Sequence, residues 1–185
     1  MANWCSNYLR LEHPDKEMLD RLCDAFVEGR LFKEFLPLPD CLANAANSIH
    51  LSASGAAQRQ AKNMKECGYA SATDFAVSQW GTKWDIDGGQ IDDDGANAVI
   101  LQFSSAGSPP LPFYQKLTQR GFTVMARYFE SGDQYAGIWE NDRKLNIRGW
   151  NKLTDLPEEL NVAFAVYDMF DHDAEQANKP APAKG

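Results

Sequence analysis

Carboxylates and indoles crowd one stretch of this 185-residue chain, where Trp80, Lys83, Trp84, Asp85, Asp87, Asp92, Asp93 and Asp94 follow one another closely. Carboxylates at such spacing could ligate a hard cation, so a calcium loop is the first chemistry to test. The pattern fails, because no glycine occupies the required sixth position and no glutamate closes the loop. Asp and Gly are also the residues that turns prefer, and Gly88-Gly89 with Asp92-Asp93-Asp94-Gly95 reads equally well as a solvated tip. A second role stays open for Asp85, Asp87, Asp92, Asp93 and Asp94: a patch that mimics phosphates and docks a basic protein surface.

The indoles carry two readings of their own. In an extended segment, Trp80, Thr82 and Trp84 share one side, with Gly81, Lys83 and Asp85 on the other. Two indoles on one face, with Trp4 nearby, could form a stacking platform for a base or a sugar. The same spacing could bury both rings between sheet and helix, with Gly81 permitting close backbone approach, and burial is the commoner fate of tryptophan. Lys83 does not make a phosphate site, because the glycine-rich loop and following helix are missing.

Other reactive types give no recognisable module. His13, His50 and His172 stand in no spacing that pairs them with a nucleophile, and no carboxylate pair can be nominated for acid–base work. Cys5, Cys23, Cys41 and Cys67 lie far apart, without a CxxC pair, and no metal or cofactor is expected. Cys5 in a strand and Cys23 on a helix face are expected to act as small buried hydrophobes.

Twenty-six acidic against eighteen basic residues give a formal charge of −8. That sign repels phosphates and disfavours general nucleic-acid binding, whereas it suits docking on a basic partner or simple solubility. Hydrophobic residues at 44% are enough for a buried core. No run approaches the roughly 18 apolar residues of a membrane span, and the start Met1-Ala2-Asn3-Trp4-Cys5 reads as a mature strand, so a cytoplasmic location is expected.

These residues must be positioned by elements that the periodicity predicts. Cys5 to Leu11 alternates as a strand, and Asp15 caps a helix carrying Met18, Leu19, Leu22, Cys23 and Phe26 that stops at Gly29. Residues 33–75 read as an insertion or long connection with a helix near Ala56 to Glu66. Trp84 with Ile86, then Val99, Leu101 and Phe103, predict two strands of an acidic-tipped hairpin. Ser108-Pro109 opens a second helix that ends at Gly121. Phe122 to Phe129, Tyr135 to Glu140 and Lys144 to Arg148 predict a meander, and a helix from Leu156 to about His172 follows, with Asp155 and Glu158 in capping-box spacing. One domain over 1–174 and a disordered tail over 175–185 are expected. The fold class is α+β: a ferredoxin-like β-α-β-β-α-β sandwich with a helical insertion, an added C-terminal hairpin and a terminal helix.

Met1-Ala2-Asn3-Trp4-Cys5-Ser6-Asn7, Trp80-Gly81-Thr82-Lys83-Trp84-Asp85 and Phe103…Ser108-Pro109-Pro110, in that order, resemble a plasmid- and phage-carried family, the YubB-like proteins with a ferredoxin-like domain. Tyr128-Phe129-Glu130-Ser131-Gly132 extends the likeness, which spans the chain to about Trp139. The resemblance implies a fold and a mobile-element setting, and no catalytic residue can be carried over from it. The leading expectation is a non-enzymatic accessory protein that binds a host protein, as a counter-defence inhibitor of a restriction or CRISPR complex would. A ligand or single-strand binding module using Trp80 and Trp84, with Lys83, Arg127 and Arg148, is the alternative. An enzyme whose site forms only in three dimensions is the third.

Overall fold

β1 (Trp4–Glu12) runs through the middle of a six-stranded sheet and sets its two faces. In this computed structural model, residues 3–43, 53–140 and 143–164 are described. The sheet order is β2-β3-β1-β4-β5-β6 and every neighbouring pair is antiparallel. The other strands are β2 (Gln90–Asp93), β3 (Ala98–Ala106), β4 (Thr123–Glu130), β5 (Tyr135–Glu140) and β6 (Lys144–Arg148). The chain is therefore a mixed α+β protein with an open antiparallel sheet.

Alternation decides which side chains are buried. Register places Leu9 opposite Leu101 and Ala126, and Leu11 opposite Val99 and Val124, so these residues share one face. Onto that face pack α1 (Lys16–Val27), α2 (Leu31–Phe35) and α6 (Leu111–Gln119), through Leu19, Leu22, Phe26, Phe32, Phe113 and Leu117. Asp15 caps α1 as its spacing predicts, accepting the Glu17 amide at 3.0 Å. The connection after α2 holds α3 (Asp40–Ala43), α4 (Ala53–Cys67) and α5 (Ala72–Gln79), and α4 fits the helix expected there.

The opposite face has two halves. Over β4–β6, Phe129, Ala136 and Ile138 are covered by Leu156 and by Leu160 of α7 (Glu158–Phe164). Over β1 and β3, the residues Trp4, Ser6, Tyr8, Ile100, Gln102 and Ser104 are all at least partly exposed. Half of the sheet is thus buried on both sides and half on one side only. Asp155 does not open α7 as its spacing suggests. Its carboxylate instead accepts the Asn151 and Lys152 amides at 3.2 and 2.9 Å, closing a short 3₁₀ turn at Leu153–Asp155. The expected extension of that helix to His172, the tail over 175–185 and His50 lie outside the described residues.

Two expectations about the region after α5 are corrected. Trp84–Asp87 is not a strand, and the partner of β3 begins only at Gln90. The cause is Asp85, whose carboxylate accepts the Phe32 and Lys33 amides at 2.8 and 3.0 Å and ties this stretch to the first turn of α2 instead of to β3. Gly89 then lets the chain cross β3 closely, since a Cβ there would stand 2.3 Å from the Gln102 carbonyl oxygen and 2.7 Å from the Phe26 ring.

Candidate functional site

The hexamer Trp80–Asp85 divides into anchors and one outward-facing ring. Trp80 ends α5 with its side chain only 2% exposed, among Phe32 and Phe75 at ring separations of 5.8 and 6.0 Å. Its Nε1–H donates to the Leu36 carbonyl at 2.9 Å, satisfying the polar edge of a buried indole. Gly81 turns the chain with φ +87°, and a Cβ there would meet Pro112 Cδ at 2.5 Å. Thr82 is buried and its hydroxyl donates to the Ala106 carbonyl at 3.0 Å, while Ser108 Oγ donates back to the Gly81 carbonyl at 2.6 Å. These bonds fasten the segment to the end of β3 and the start of α6.

Trp80 therefore cannot belong to a stacking platform: its ring is core. The extended geometry that would put it beside Trp84 does not form. Asp85 is likewise withdrawn from the docking patch, because both of its oxygens serve the α2 amides and the Ile86 amide.

Trp84 goes the other way. It is 53% exposed and meets Trp4, itself 54% exposed, with ring centroids 6.0 Å apart and planes tilted by 46°. The tilt leaves the two indoles unstacked, and about half of each residue's surface is open to solvent. They line a cleft of about 1050 Å³ where the open half-face of the sheet meets the 84–89 loop and α7. Asp85 and Asp87 contribute its charge, Ser6, Gln90 and Gln102 its neutral polar groups, and Phe164 an apolar wall. Among the described residues lining it, none is Lys, Arg or His. Sequence spacing did not single out Trp4 as a partner of Trp84 alone; the pairing of β1 with β3 brings it there.

Asp92 and Asp93 lie on β2, the outer strand of the sheet, all four of whose residues are exposed. Their environments differ from that of Asp94. Asp94 is paired with Arg10, which also binds Glu12, so its charge is largely committed. Asp93 Oδ1 accepts the Gly95 amide at 3.1 Å and shapes the turn, and Asp92 has only a long contact, 3.4 Å, from the Gln102 amide. A groove of about 660 Å³ along β2 is lined by Asp92, Asp93, Asp20 and Lys16 above Leu19, Cys23 and Val99, with Lys16 paired to Asp20 at 2.7 Å.

Lys83 is exposed, but the cations proposed to work beside it are elsewhere. Arg127 is held by Glu140 at 2.8 Å and Arg148 covers the Tyr135 ring at 4.5 Å from the opposite edge strand. The three do not form one basic surface. His13 packs its ring on Phe122 at 4.5 Å, a structural role.

The cysteines also sort themselves. Cys5 is buried and its thiol is pushed up to about 12 by desolvation, which leaves it inert. Beside it, Asn7 donates to Ser105 Oγ at 2.9 Å and accepts from the Tyr114 hydroxyl at 3.0 Å, a satisfied and closed polar network. Cys41 and Cys67, far apart in sequence, meet where α3 packs on α4, and the hydrogen bond to Cys67 pushes the Cys41 thiol up to about 11. Among the described residues no group of three His, Cys, Asp or Glu is placed to hold a metal, and no helix is long and apolar enough to cross a membrane. No family model, curated protein or solved structure matches the chain.

Proposed function

We propose that the chain is a non-enzymatic accessory protein of a mobile element that docks on the basic surface of a host protein. The observation that carries this reading is the acidic edge of the sheet: β2 is exposed along its whole length and carries Asp92 towards the open face and Asp93 towards the helix face. Carboxylates on an exposed strand steer a basic partner, and the apolar floor of Leu19, Cys23 and Val99 gives it surface to bury, with the Lys16 charge at that groove already held by Asp20. Such an edge would compete with nucleic acid for the same partner surface, which is how a counter-defence inhibitor of a restriction or CRISPR complex would act.

Two further observations support the setting. The order β2-β3-β1-β4, with α1 and α6 on one face, supports reading the fold as a ferredoxin-like sandwich with β5–β6 as an added hairpin. The described residues of the three motifs that resemble the YubB-like proteins fall on β1, on the 80–85 segment, and on β3 and the entry to α6.

The test is capture from a host lysate by the wild type and by an Asp92→Lys, Asp93→Lys variant. Asp94 is left intact because it holds Arg10. The expected result is a partner lost from the variant and released from the wild type by salt and by DNA. Capture that is equal for both proteins removes β2 from the docking surface.

A further inference from the structure

The cleft lined by Trp4 and Trp84 is distinct from the groove lined by Asp20 and Asp93, and β2 borders both through Gln90 and Asp93. Two exposed indoles offer negative ring faces, Asp87 adds a formal negative charge, and no basic residue among those described neutralises either. Ring faces attract cations lying within about 6 Å of the centroid. Anionic ligands are disfavoured by the same groups, because a phosphate brought to these rings would approach Asp87 without a lysine or arginine to receive it. A neutral sugar would find the stacking faces but would leave the charge of Asp87 without a counterpart.

We propose that this cleft receives an arginine side chain from the docked partner, with the guanidinium lying on the Trp84 and Trp4 rings and donating to Asp87. Arginine fits better than lysine on three counts. Its planar group stacks on an indole, it is more weakly hydrated than an ammonium, and its fork of donors can reach a carboxylate and neighbouring amide oxygens together. Gln90 and Gln102 line the cleft with the amides that such a fork would meet. The volume of about 1050 Å³ exceeds that of one side chain, leaving room for the backbone that carries it.

This inference rests on the docking reading, yet it can fail separately. The decisive probe is a short arginine-containing peptide set against the same peptide with citrulline, which keeps the shape and removes the charge. Binding is followed by the indole N–H resonances of Trp4 and Trp84 in the intact protein. The arginine peptide is expected to shift both signals and the citrulline peptide to leave them in place. Trp84→Ala should weaken binding about tenfold, the scale of a partly desolvated cation–ring contact. Asp87→Asn should weaken it as well, and serves as the second variant if Trp84→Ala does not fold.

Equal shifts with citrulline would overturn the proposal, as would full affinity in Trp84→Ala. A stronger response of the same resonances to oligothymidylate would also overturn it and make the pair a base-stacking site. Loss of peptide binding in Trp84→Ala, with lysate capture insensitive to Asp92→Lys, Asp93→Lys, keeps the cleft and rejects the β2 edge. The reverse pattern rejects the cleft alone.

Discussion

Trp80 and Trp84 are four residues apart and have opposite fates. Trp80 is sealed among Phe32 and Phe75 with its N–H bonded, while Trp84 turns out beside Trp4 with half its surface open. The difference comes from the backbone between them. Gly81 bends the chain against Pro112 and Thr82 fixes it to Ala106, so the segment leaves the core as a turn and not as a strand. One ring is thus committed to the core, and the other is left open to solvent.

The largest effect is expected at the anchored end. Trp80→Ala removes a large buried ring and leaves the Leu36 carbonyl without its donor, which should cost about 3–5 kcal/mol by the usual scale for large-to-small core changes. Urea unfolding reads this directly as a lowered midpoint. A loss below about 1 kcal/mol would mean that Trp80 and Trp84 are not distinguished as the geometry requires.

Asp85 stands between the two ends and should have an intermediate effect. Its carboxylate stitches the 84–89 loop to α2, so Asp85→Ala should cost about 1–2 kcal/mol, the range for losing a helix-capping side chain. Asp85→Asn keeps one acceptor oxygen and should recover part of that loss. Because the loop carries Trp84, the alanine variant should also alter the Trp84 indole resonance, while Trp80 keeps its own.

A pH test probes the buried region alone. In the folded protein the Cys5 thiol is raised from its ordinary value of 9.0 to about 12, so the unfolded chain gives up this proton first as pH rises. Stability from this group is complete below pH 9 and falls through the interval up to about 12. Linkage sets the slope at about 1.4 kcal/mol per pH unit. Tyr128 and Tyr114 shift in the same direction through burial and add to the decline above pH 10. Cys5→Ala should make the loss between pH 9 and 10 shallower, as followed by thermal unfolding, whereas a change at Trp84 should leave the slope untouched.

How much of this was legible in the sequence depends on the range of the interactions involved. Strands β1, β3, β4, β5 and β6, the Asp15 cap and helix α6 follow from local periodicity and turn chemistry, and they appear close to where the alternation of Cys5–Leu11 or Val99–Phe103 places them. The stretch Trp84–Ile86 misleads because its alternation is strand-like while Asp85 is claimed by α2, a contact across 53 residues that no local pattern records. The candidate site was partly visible: Trp84, Asp87 and a nearby Trp4 are offered by the sequence, but the meeting of Trp4 with Trp84 alone, and the arrival of Phe164, come through the sheet order and the packing of α7. Cys41 and Cys67 meet for a similar reason, since the packing of α3 on α4 is tertiary. Asp94 shows the converse, a residue that looks free in a run of three aspartates and is taken by Arg10.

The smallest stability effect is expected at the exposed end, and there it is most informative. Trp84→Ala removes one ring of a tilted pair that is about half solvated, so the folded state should lose no more than about 1 kcal/mol. Trp4→Ala should behave alike, and the double variant should cost less than the two single changes added together, because either substitution already breaks the contact between the rings. Emission should shift towards shorter wavelength in both single variants, as a solvent-exposed indole is lost while buried Trp80 stays. A loss at Trp84 as large as that at Trp80 would show that the outer ring is structural too. The cleft would then have no residue to spare for a partner.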